Sequence, residues 1–81
     1  MATQKSDIQE WLERGKEEGA THLIVVCDTF DWEDYPVFVS PHENVHEKEE
    51  HYNGNMQRVM EVYKIDMDWD SQLNQHRSFN Y

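Results

Sequence analysis

An α+β fold follows from the sequence, with a small antiparallel sheet of about three strands packed with two or three helices in the order α-β-β-α-β-α. Three observations predict it. Ile8, Trp11 and Leu12 recur at helical spacing ahead of Gly19. The run Leu23–Cys27 is apolar throughout, and a second β-rich run, 35–39, follows after a short connection. A third β-rich run, Val62-Tyr63-Lys64-Ile65, lies beyond a polar stretch that starts with helix-capping residues.

The first helix is expected at about residues 6–18, with Ser6 as N-cap, Gln9 at the third helical position and Gly19 as the stop. Gly15 inside it costs up to ~1 kcal/mol relative to alanine unless close packing requires it. Residues 21–27 are too short and too β-branched for a helix, and their unbroken apolarity predicts a central strand buried on both faces. Residues 28–34 form a turn that carries four acids in seven residues. The strand 35–39 follows, with Pro36 at its start or on a sheet edge because proline donates no ladder hydrogen bond.

Ser40-Pro41-His42-Glu43 reads as the start of a second, highly charged helix running to about Tyr52, anchored only by Val45 and Tyr52 and ended by Asn53-Gly54. Residues 56–65 carry both periods. Met56, Val59, Met60 and Tyr63 have helical spacing, whereas Val59, Tyr63 and Ile65 fall on one strand face and Met60 and Val62 on the other. The β-rich 62–65 favours a third strand. Asp68 then caps a short last helix around Leu73. The chain is expected to be a single domain over 1–81, with 1–5 and about 78–81 loosely held.

A domain of 81 residues buries only roughly 60–65% of its unfolded surface, so its stability is marginal without a further staple. Cys27 is the only cysteine, which excludes an internal disulfide and fits a reducing compartment; its place in an apolar run reads as a small buried hydrophobe. Oligomerisation is the staple that remains, so a homo-oligomer is expected. Residues 1–5 lack the apolar core of a signal peptide, and five apolar residues are too few to span a membrane.

The net charge is −10, from 17 acids and 7 bases. That argues against duplex nucleic acid and anionic membranes as partners, and permits binding to a basic protein surface or mimicry of nucleic acid. No Gly-rich phosphate loop and no cysteine cluster is present, so no cofactor is expected. His42-Glu43-Asn44-Val45-His46 matches the zinc-protease pattern H-E-x-x-H. The reading is discounted, because the segment continues Glu47-Lys48-Glu49-Glu50, a solvated face without the walls that catalytic zinc needs. The chain is expected to be a binder and not an enzyme.

The candidate binding residues are Asp28, Thr29, Phe30, Trp32, Asp34 and Tyr35. Aromatics so dense in one turn either fold under as local core or form a binding surface. Arg58 and Arg77 flank apolar segments and are candidates for holding a small anionic ligand, against the plainer reading of surface ion pairs.

The run 20–39, containing Cys27-Asp28-Thr29-Phe30-Asp31-Trp32-Glu33-Asp34-Tyr35-Pro36-Val37-Phe38-Val39, resembles the signature of a family of small proteins encoded by tailed bacteriophages and prophages. Met56-Gln57-Arg58-Val59-Met60-Glu61-Val62-Tyr63 is similar to that family's second block. The resemblance marks a family and not an activity. It implies an accessory phage protein acting in the bacterial cytoplasm, of the kind that inhibits a host enzyme, sequesters a defence signalling nucleotide or imitates DNA.

Overall fold

The computed structural model describes residues 4–54, 56–75 and 77–81. It has the expected element order: α1 (Lys5–Glu17), β1 (His22–Asp28), β2 (Glu33–Val39), α2 (Val45–His51), β3 (Gln57–Lys64) and α3 (Trp69–Leu73). The strands form one antiparallel sheet in the order β2-β1-β3. The α+β architecture read from the sequence is therefore the architecture of the protein.

β1 is central because both of its faces are apolar. Leu23, Val25 and Tyr63 of the sheet pack with Ile8 and Leu12 of α1 and Leu73 of α3. On the opposite face Ile24, Val26, Val37, Val39, Val59 and Val62 pack together, roofed by Tyr35, Val45 and Tyr52. The sheet thus lies between α1 and α3 on one side and the short α2 on the other. Pro36 pairs with Val25 on the edge strand β2, where a missing N–H costs least.

β3 explains its own mixed periodicity. Val25 of β1 pairs with Glu61, but Val26 pairs with Val59, so Met60 is an extra residue in a β-bulge. The bulge turns the strand over by one residue. Val59 and Val62 therefore share the α2 face, while Met60, Tyr63 and Ile65 pack on the α1 face. The expected grouping of Val59 with Tyr63 and Ile65 is corrected: three-residue spacing here reports a bulged strand.

The starts of α1 and α2 also shift. The N-cap of α1 is Gln4, two residues before the expected Ser6, because the Gln4 N–H donates to the Asp7 carboxylate at 3.3 Å and the Asp7 N–H donates to the Gln4 carbonyl at 3.0 Å. Ser40 and Glu43 close only an isolated turn, with the Ser40 N–H donating to the Glu43 carboxylate at 3.0 Å. Asn44 is the N-cap of α2, accepting from the His46 and Glu47 N–H groups at 2.9 and 3.2 Å. Gly15 is buried where α1 crosses the sheet; a Cβ there would meet Phe38 Cδ1 at 3.0 Å and Ile65 Cδ1 at 3.2 Å. Gly19 has φ +77°, the left-handed residue that follows the α1 C-cap Glu18.

Of the ends expected to be loosely held, residues 1–3 lie outside the described residues. The 78–81 segment is instead fastened along β3. The Val62 N–H donates to the Ser78 carbonyl at 2.8 Å and the Asn80 N–H to the Val62 carbonyl at 3.0 Å. The hub is fully buried Gln72. Its Oε1 accepts from the Lys64 N–H at 2.7 Å and the Asn80 amide at 3.1 Å, and its Nε2 donates to the Lys64 carbonyl at 2.9 Å. The Ser78 hydroxyl donates to the Gln72 carbonyl. Tyr81 stacks on His46 at 4.3 Å, its hydroxyl donates to Glu49, and its carbonyl lies 2.9 Å from the buried His22 Nε2. Burial and the neighbouring Glu49 push the Tyr81 phenol up to about 12. Among the described residues no helix is long and apolar enough to cross a membrane.

Candidate functional site

The β1–β2 connection is built by Asp28. Its carboxylate accepts the Phe30 N–H at 2.8 Å, an Asx-type turn, and its carbonyl accepts the Trp32 N–H at 2.6 Å. Wrapping the chain this tightly places Trp32 at φ +58°. The loop before β3 meets the same turn: the Thr29 N–H donates to the Met56 carbonyl at 2.8 Å, and Met56 has φ +69°. Both are bulky residues in the left-handed region, which costs a non-glycine residue roughly 1–2 kcal/mol.

Solvent exposure separates the aromatics. Phe30 is 72% exposed and Trp32 61%, and Met56 beside them is 58% exposed. These are the most exposed large hydrophobic side chains among the described residues. Tyr35 instead packs against the valine core under α2, where desolvation first, with the charge of Asp28 as a lesser cause, raises its phenol. The two readings of the turn thus divide between residues: Tyr35 is local core, whereas Phe30 and Trp32 form surface.

Carboxylates surround this end. Asp31 and Glu33 are exposed, and Asp28 and Asp34 are half-buried. Asp34, Cys27 and Arg58 lie side by side across β2, β1 and β3. Cys27 is buried, and desolvation, a hydrogen bond to Asp34 and the charges of Asp34 and Asp28 all raise its thiol, so it is a poor nucleophile.

The sheet therefore brings Asp28, Thr29, Phe30, Trp32, Asp34, Tyr35 and Arg58 to one end. Arg77 is not brought there. Its guanidinium donates to the Met60 carbonyl at 3.4 Å and lies over the Phe79 ring at 5.7 Å. Met56 is the member that sequence reasoning missed. Its place depends on a backbone bond between segments 27 residues apart, for which the sequence carries no local signal.

The H-E-x-x-H reading loses its geometry. His42 and Glu43 precede α2, so His42 and His46 are not successive turns of one helix. Glu43 is held by Lys48, and the Lys48 and Ser40 hydrogen bonds lower its carboxyl to about 2. Among the described residues no group of three or more His, Cys, Asp or Glu side chains is placed to hold a metal ion. Depressions of about 790, 550 and 360 Å³ lie away from the hairpin end: beside Lys16 and Trp69, between 42–44 and α2, and between Thr21, Lys64 and Tyr81.

No protein-family model, curated protein or solved structure matches the chain.

Proposed function

We propose that this chain is a small non-enzymatic accessory protein of phage type that acts by binding a host protein, and that its working surface is the sheet end formed by residues 28–34 and Met56. One observation carries the reading. Trp32 and Met56 occupy left-handed backbone positions, which favour glycine or asparagine, and both side chains are more than half exposed. Folding energetics favours neither residue there, whereas aromatic residues and methionine are enriched at protein interfaces. The resemblance of residues 20–39 and 56–63 to phage-encoded proteins supports the phage assignment and, with it, action in the bacterial cytoplasm.

Capture of a small signalling nucleotide has less support. Small-molecule sites enclose most of the ligand, and the aromatics here stand open to solvent among four acids. Of the two candidate arginines, Arg58 is placed at this end by its pairing with Cys27, and Arg77 is engaged elsewhere. Self-association remains part of the proposal, motivated by the small core, and sedimentation at several concentrations measures it.

The test is affinity capture from bacterial lysate at low salt, with the wild-type chain beside Phe30→Ser and Trp32→Ser. The wild type retains a host protein that both variants lose. Equal recovery by all three would refute the assignment of the surface.

A further inference from the structure

The chemistry of this end also defines what occupies it. We infer that the hairpin end receives a cationic segment of a partner protein, one that offers arginine or lysine beside apolar side chains. The inference rests on the binding reading above and names the partner class for the same surface.

The apolar part is Phe30, Trp32 and Met56, exposed at 72, 61 and 58%. Isolated exposed hydrophobics are ordinary, but three side chains of this size gathered by one turn and the loop bonded to it make an anchor of the kind found at interface centres. The rim is Asp28, Asp31, Glu33 and Asp34. Among the described residues the base at this end is Arg58, paired with Cys27, so four carboxylates share the end with one guanidinium. A second copy of the chain would set carboxylates against carboxylates, and like charges across an interface cost affinity. An anionic ligand meets the same repulsion. A cationic side chain meets attraction twice, from the carboxylates and from the face of an indole or phenyl ring. Apolar side chains in the same segment cover the remainder of the aromatic surface.

The test uses the full chain labelled with ¹⁵N and three synthetic twelve-residue amidated peptides as probes: one alternating arginine with leucine, one alternating glutamate with leucine, and one alternating arginine with serine. Amide shifts are mapped at moderate ionic strength. The arginine–leucine peptide is expected to shift the amides of 28–34 and 56–58. It should bind at least about tenfold more tightly than the other two, and lose about tenfold in affinity to Asp31→Lys/Glu33→Lys, which leaves the aromatics in place. Phe30→Ser should weaken the same shifts.

If the glutamate–leucine peptide binds 28–34 as well as the arginine–leucine peptide does, the surface stands and the cationic inference falls. If the arginine–serine peptide matches it, attraction is by charge alone and the proposed anchor is wrong. If the shifts map to the acids of α2, or no peptide shifts 28–34, the inference and the binding surface fall together.

Discussion

Gln72 gives the account of stability a quantitative test. It is a completely buried amide that ties α3 to β3 and to the 78–81 segment. Gln72→Met keeps the length and approximate volume of the side chain and removes all its hydrogen bonding. The Lys64 N–H and C=O, bonded to it at 2.7 and 2.9 Å, are left without that partner. The Lys64 carbonyl keeps the Met67 N–H at 3.3 Å and loses one hydrogen bond, about 1 kcal/mol, while the orphaned N–H of half-buried Lys64 costs about 1–2 kcal/mol. The sum is about 2–3 kcal/mol, or a fall of roughly 10–20 °C in Tm for a domain of this size. Gln72→Glu supplies the acceptor but, at neutral pH, not the donor. It also buries a charge facing the Lys64 and Asp68 carbonyls. It should be less stable than the Met variant at neutral pH and regain stability near about pH 4, where the protonated acid donates. Thermal denaturation of the two variants across that range checks both statements. A Met variant melting within about 2 °C of the wild type, or a Glu variant with no recovery in acid, would show that the hub is not what fastens the segment.

Further expectations concern the helices and the exposed turn. Phe30→Ser should cost less than about 1 kcal/mol in urea denaturation, because the ring is 72% exposed; a larger loss would place it in the core. Gly15→Ala should be near neutral, since a helix-propensity gain of about 1 kcal/mol offsets displacing Phe38, whereas Gly15→Val should cost about 2 kcal/mol by overpacking against Phe38 and Ile65. A valine variant as stable as the wild type would contradict the close crossing of α1. Glu43 has a folded pKa of about 2, below its ordinary value of 4.5, so its pairing with Lys48 contributes above the ordinary value and is lost as pH falls toward 2. A carbon-detected titration should find this depressed midpoint and see it return toward the ordinary carboxyl range in Lys48→Met; an unchanged midpoint would dissociate Lys48 from the effect.

Element order and the central position of β1 were legible because each depends on composition over several adjacent residues. The continuous run Leu23–Cys27 has no polar face, and it is buried on both sides by helices. What the sequence concealed depends on pairing. The Met60 bulge imposes three-residue spacing on a strand, so β3 reads as partly helical until its register against β1 is known. At the start of α2 two capping signals lie four residues apart, and only the second, Asn44, opens a helix. The 78–81 segment is polar and reads as loose, yet Gln72 and the edge of β3 supply its partners from elsewhere in the chain. For the candidate site, the dense aromatics in one turn marked a segment whose Phe30 and Trp32 the fold leaves exposed. Local sequence could not separate inward Tyr35 from outward Phe30 and Trp32, because Tyr35 falls on the β2 face opposite Val26 and the other two fall in the turn.

The most direct measurement is site-specific photocrosslinking in a bacterial lysate, with Phe30→p-benzoylphenylalanine compared with Glu13→p-benzoylphenylalanine on the exposed face of α1. A discrete host-protein adduct from position 30, absent from position 13 and suppressed by added Asp31→Lys/Glu33→Lys, is the predicted result. Equal adducts from both positions, or an adduct from position 13 alone, would contradict the assignment of the hairpin end as the working surface.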